Sequence, residues 1–243
     1  MIVKQTKSGL EIITQTGHAF LAAQIAAALQ DKYHSTYGLE VLLATFNHEA
    51  INTDFNSGRV LSDIGVPLDF TESQETTEET IEKIKSMTQK ALYKSRMIFA
   101  FMAQHMLTIH ADKESRTFLE FADTLRKKIN SHLKEVGLKK KEFVEIYQVL
   151  KFSDRLSLML CQNELPTAGR TFEINTAMEG KTFSVIDNNG NSNVDPWPFQ
   201  NSEVPLYYEY RLLDQLQFKN KTAFLDCFQQ TAIQKKNFTI VKG

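Results

Sequence analysis

The chain has 243 residues, 42% of them apolar and 17 of them Phe, enough for one large domain or two small ones with a sizeable core. Its 28 Lys and Arg nearly cancel its 29 Asp and Glu, leaving a net charge of −1, which argues against a protein that coats nucleic acid, since phosphate backbones call for a basic excess. No apolar run approaches the roughly 20 residues of a membrane span. The two cysteines, Cys161 and Cys227, stand far apart and outside any CxxC pattern, so a reduced, cytoplasmic protein without a signal peptide is expected.

The first elements are two short β-like runs, "MIVKQT" and "LEIITQ", around Lys7-Ser8-Gly9, which predicts a hairpin with Gly9 supplying the turn. From Gly17 the pattern turns helical. Helices are expected over about 18–30 and 38–49, followed by an irregular segment, 50–73, that holds Gly58, Gly65 and Pro67. Residues 75–93 begin with Glu75, Glu78 and Glu79 and continue to Lys90, with Lys94 just beyond, a charge order that suits a helix dipole. Further helices fit 95–111, 114–134 and 140–163, the last two separated by Gly137. The Lys139–Lys141 run reads as a solvated helix start. After Pro166, "RTFEIN", "KTFSVI", "PLYYEYRLL" and "NFTIVK" read as strands, and "DNNGNSN" as a loop.

The predicted class is therefore α+β. A helical core over 15–165 is bracketed by β-rich parts at 1–14 and 166–243, and the terminal strands share one small sheet, making 1–243 a single unit. A two-stranded hairpin is marginal alone, so the C-terminal strands are its natural partners.

A helix buries positions three and four apart, and four of the predicted helices carry a polar residue on that stripe. The stripe of 18–30 runs His18, Leu21, Ala22, Ile25 and Leu29. That of 38–49 runs Val41, Ala44, Thr45 and His48, with Glu49 on the neighbouring edge. Helix 95–111 gives Ile98, Phe101, Met102, His105 and Ile109. The last helix gives Phe143, Ile146, Tyr147, Leu150, Asp154, Ser157, Leu158 and Cys161. A carboxylate or imidazole buried among apolar groups must be paired, hydrogen-bonded or bound to metal. Imidazole and carboxylate suit divalent metals such as Zn, Mn or Fe, and a helix bundle can aim them at one point. The plainer reading is a set of hydrogen-bonded core residues, with Asp154 paired to Arg96 or Arg126. His132 also falls on a stripe, and reads as a helix C-terminal histidine; His34 and His110 read as surface groups. No Gly-rich phosphate loop, GxSxG or HExxH occurs.

The order of a histidine, a histidine-plus-acid pair and a distant aspartate on successive helices resembles the HD superfamily of metal-dependent phosphohydrolases. More closely, "MIVK" with "IITQTGHAFLAAQIA", "VLLATFNHEAI", "GVPLDF", "FMAQHM", "SDRLSLMLC" and "DPWPF" resemble the bacterial family called domain of unknown function 3891. The resemblance implies an HD-like helical core. It implies His18, His48 and Asp154 as metal ligands and Glu49 as a ligand or an orienting group. It implies His105 as a ligand or a proton donor, so that His105 and Glu49 are the catalytic candidates. One divalent ion at most and a small phosphorylated substrate are expected. Glu49 departs from the pattern, standing where an aspartate is expected, and the segment after it, "AINTDFN", is also altered. The rival reading is a non-catalytic HD-like binding or interaction protein without metal. Oligomeric state and substrate identity are not encoded in any motif.

Overall fold

The structure, a computed structural model, describes residues 1–34, 36–50, 55, 59–72, 75–188 and 191–243. Gly58 and most of "AINTDFN" lie outside the described residues, as does the centre of "DNNGNSN". The class is α+β, as the sequence predicts. Strands β1 (Ile2–Thr6) and β2 (Gly9–Ile13) lead into six helices: α1 (Gln15–Ala27), α2 (Gly38–Asn47), α3 (Thr77–Leu92), α4 (Arg96–Ile109), α5 (Arg116–Glu135) and α6 (Lys140–Gln162). Then come β3 (Thr171–Met178), β4 (Lys181–Asn188), β5 (Asn191–Asp195), β6 (Glu203–Leu213), a short helix α7 (Lys221–Gln230) and β7 (Ile233–Val241). Among the described residues no helix is long and apolar enough to cross a membrane.

Local chemistry sets the helix limits. The Thr14 hydroxyl accepts from the Gly17 N–H and starts α1 at Gln15, three residues before the predicted start. Thr76 and Glu79 form a reciprocal capping box at α3. Ser95 and Ser115 cap α4 and α5. Asn163, in the left-handed region at φ 59°, ends α6. Helix α4 is buried on almost every side, from Met97 to Leu107, because it packs against α2, α3, α5 and α6. Ile109, expected on its inner stripe, is 45% exposed at the helix end.

The terminal strands do share a sheet. Its order is β1-β2-β6-β7, all neighbours antiparallel, with Leu10 opposite Leu213 and Ile12 opposite Arg211. Strand β2 is buried on both faces. Ile13 joins the main core with α1 and α6, while Leu10 and Ile12 face Leu213, Phe218, Phe224 and Phe228. Phe224 and Phe228 lie on α7, an element the sequence reading does not assign. Strands β3, β4 and β5 form a separate three-stranded sheet. It reaches the helices through Phe183, whose ring centroid is 5.3 Å from that of Phe152 on α6. The predicted loop "DNNGNSN" is instead largely strand: Asp187 and Asn188 end β4, and Asn191 to Asn193 begin β5. Asn and Gly signal a tight turn between paired strands as strongly as a longer loop.

Charged groups also lie under the first sheet. Lys4 donates to the Tyr208 hydroxyl at 2.8 Å and pairs with Glu11, and Tyr208 donates to Glu11 at 2.7 Å. This ties β1, β2 and β6 together where a lone lysine would be costly.

Gly9 has a sharper role than the predicted turn. The turn itself is Lys7-Ser8, and Gly9 pairs with Thr6 at φ +134°. A Cβ on Gly9 would collide with the Leu213 carbonyl on β6. Gly9→Ala is therefore expected to lose about 1–3 kcal/mol from backbone strain alone, with the collision adding to it. Urea unfolding measures this, and an unchanged midpoint would contradict the close approach.

Candidate metal centre

The four polar residues predicted on inner stripes meet at one point. His18 comes from the first turn of α1, His48 from the residue that caps α2, His105 from the C-terminal half of α4 and Asp154 from the C-terminal half of α6. The three histidines are 0–2% exposed. His18 Nε2 lies 3.0 Å from Asp154 Oδ1, His48 Nε2 lies 3.1 Å from the same oxygen, and the two Nε2 atoms are 3.2 Å apart. His105 Nε2 is 3.7 Å from Asp154 Oδ2, and Glu49 Oε1 is 3.7 Å from His48 Nε2. The side chains of Asp154 and Glu49, 14% and 13% exposed, carry the cluster toward solvent.

Hydrogen bonds behind the rings fix which nitrogen points inward. His48 Nδ1 faces the Thr45 carbonyl oxygen, which can only accept, so Nδ1 carries the proton. Ser157 Oγ lies 2.8 Å from the Asp154 carbonyl and 2.9 Å from His18 Nδ1. Its single proton goes to the carbonyl, leaving Oγ to accept from His18 Nδ1–H. In the neutral rings, both Nε2 lone pairs then face Asp154 Oδ1. Such outer hydrogen bonds orient histidines for metal binding. Thr45, Ser157 and Tyr147, which reaches His105 Nδ1 at 3.3 Å, are polar residues on the same inner stripes. The sequence signal that marks the histidines marks them too, but it does not show which hydrogen bond each makes.

The arrangement fits a divalent ion. Ligand atoms at about 2.0–2.2 Å from an ion are separated by about 2.8–3.1 Å in an octahedron and about 3.3–3.6 Å in a tetrahedron. The observed triangle, 3.0, 3.1 and 3.2 Å on its sides, has the size of one face of such a polyhedron. Two overlapping sets could hold an ion, His18 with His48 and Glu49, and His48 with His105 and Asp154, the ligand atoms of each lying within 4.8 Å of one another.

Without an ion, a proton takes part of that place. Burial alone would lower the His48 pKa, but the Asp154 carboxylate, its hydrogen bond, Glu49 and the Thr45 carbonyl outweigh it and raise the pKa to about 9. Burial would raise the Asp154 pKa, but the charge on His48 and the close approach of the His18 and His48 imidazoles hold it well below the usual carboxylate range. Burial pushes His105 down to about 3, against the pull of Asp154. His105 is thus neutral, which suits a ligand better than an imidazolium acid.

The remaining histidines do not join the cluster. His132, in the last turn of α5, lies 3.5 Å from Glu135 and against the ring of Phe99. His34 and His110, expected at the surface, are half-buried; His34 Nε2 faces the Leu29 carbonyl at 3.1 Å, and His110 lies against Phe118. Arg96 pairs with Glu135 at 3.4 Å.

All the residues of the cluster fall within a match of residues 1–215 to the family model described as Protein of unknown function (DUF3891). The chain belongs to this family. The match takes in β1 through β6 and ends before α7 and β7, so it covers α1 to α6, the three-stranded sheet and three of the four strands of the first sheet. No curated protein and no solved structure matches the chain.

Proposed function

We propose that this DUF3891 member is a cytoplasmic, HD-like, metal-dependent phosphohydrolase acting on a small phosphorylated substrate, with a site weakened at Glu49. One observation carries the reading: three ligand atoms on three helices form a triangle of coordination size, with both imidazoles turned by hydrogen bonds to present their Nε2 lone pairs. A divalent ion, Zn, Mn or Fe, would supply Lewis-acid activation of a water and of a phosphoryl oxygen. His18, His48 and Asp154 would hold it, and His105 would complete the set. Glu49, at the solvent edge, would bind or orient the ion, and its carboxylate would accept a proton from the attacking water. The longer arm of Glu, compared with Asp, makes one ion the most the site accepts and loosens its grip.

The second reading is a non-catalytic binding or interaction protein of the same fold. It is favoured by the His48 proton, which satisfies Asp154 without any ion. Metal analysis of freshly purified protein separates the two readings. Glu49→Asp is expected to raise metal occupancy or to expose hydrolysis of a generic phosphoester. His48→Ala is expected to abolish metal binding, since too few ligands remain. A protein that takes up no metal under any loading, with Glu49→Asp changing neither occupancy nor activity, would leave only the second reading.

A further inference from the structure

Tyr147 stands on the inner stripe of α6, about two turns before Asp154. It is 3% exposed and His105 is 2% exposed, so each polar tip depends on a partner. The Tyr147 oxygen lies 3.3 Å from His105 Nδ1, and the Thr108 hydroxyl also approaches it. Thr108 Oγ1 donates its one proton to the Gln104 carbonyl at 2.9 Å, so toward Tyr147 it can only accept. The Tyr147 proton then goes to Thr108, and the Tyr147 oxygen accepts from His105 Nδ1–H. Only this order supplies a proton to each of these contacts. The other His105 tautomer would aim its Nε2–H at Asp154 Oδ2, which is 3.7 Å away and beyond hydrogen-bond length.

We propose that Tyr147 is a positioning residue of this centre: its hydroxyl accepts from His105 Nδ1–H and so turns the His105 Nε2 lone pair toward the ion. The proposal rests on the metal-site reading above. It decides between the two roles that the family resemblance leaves open for His105. The one ring proton is held on the side away from the ion, so His105 is a ligand and not the proton donor. Tyr147 then does for His105 what the Thr45 carbonyl does for His48 and Ser157 does for His18. All three imidazoles present the same nitrogen, each backed by a partner of the kind that contributes about 10–100-fold to metal affinity.

Nitrogen NMR of the metal-free protein with isotope-labelled histidine reads the tautomer directly, because protonated and bare ring nitrogens resonate far apart. Loss of signals in His105→Gln assigns them. His105 is expected to carry its proton on Nδ1 in the wild type and on Nε2 in Tyr147→Phe, which removes only the hydroxyl. Cobalt(II) titration is expected to give the same stoichiometry in both proteins, with affinity about 10–100-fold lower in Tyr147→Phe. A residue that only packs would not move the tautomer. A wild-type protein that binds no cobalt overturns this proposal together with the metal-site reading. If the wild type binds cobalt, a His105 proton on Nε2 in its metal-free form overturns the role of Tyr147 alone. So does an unchanged tautomer or an unchanged affinity in Tyr147→Phe. The wild-type tautomer carries that decision should Tyr147→Phe fail to fold.

Discussion

Asp154→Ala is expected to lose metal binding and to destabilise the metal-free protein in the same stroke. Asp154 is the shared vertex of the cluster, with Oδ1 at 3.0 Å from His18 and 3.1 Å from His48, and Oδ2 at 3.7 Å from His105. Losing an outer partner of a ligand already lowers metal affinity about 10–100-fold, and losing the one carboxylate that touches all three imidazoles should exceed that range. In the metal-free protein the same carboxylate holds the proton of a fully buried His48. Breaking a buried pair from one side costs about 3–5 kcal/mol when the remaining charge cannot escape. His48 can shed its proton, so the lower end of that range is expected. Asp154→Asn keeps the shape and loses the charge, and should show the metal defect with a smaller loss of stability. Elemental analysis after loading and dialysis reads the first effect, and urea unfolding the second. Wild-type metal affinity in Asp154→Ala would remove Asp154 from the site and with it the proposed centre.

The second large effect is on pH. The His48 pKa is raised from 6.5 to about 9 in the folded, metal-free protein. A raised folded pKa means that the folded state binds the proton more tightly than the unfolded chain. The stabilisation is therefore complete below about 6.5 and is lost as pH rises through about 9. Metal binding has the opposite sense. An ion on His48 Nε2 must displace that proton, so affinity should rise about tenfold per pH unit up to about 9 and level off above it. The two slopes can be measured separately, by urea unfolding in the presence of chelator and by metal titration at a series of pH values. Glu49→Gln should lower the pH at which affinity levels off, because Glu49 is one of the groups that raise the His48 pKa. A metal affinity flat between pH 6.5 and 9 would contradict a site in which His48 is a ligand.

Helical periodicity is a local property, and it suffices to place His18, His48, His105 and Asp154 on inner faces. The same periodicity marks Ile98, Phe101, Leu150 and Cys161, which are buried. Hairpin chemistry around Lys7-Ser8 is equally local, and the shortage of partners for the hairpin points to the C-terminal strands, of which β6 pairs with β2. Other features depend on groups far apart in the chain. That His18 and Ser157, 139 residues apart, share a hydrogen bond follows from how α1 packs on α6, and no spacing in the sequence encodes it. The inward direction of the two Nε2 atoms depends in the same way on Thr45 and Ser157. Strands β3 to β5 form their own sheet, and α7 covers the second face of β2, because each buries apolar side chains that only the assembled helices and strands bring within reach. The residues of the centre were thus determined by the sequence. Their convergence to a triangle of coordination size was decided by packing, since long-range distances are set by which faces exclude water together and not by the order of residues along any one helix.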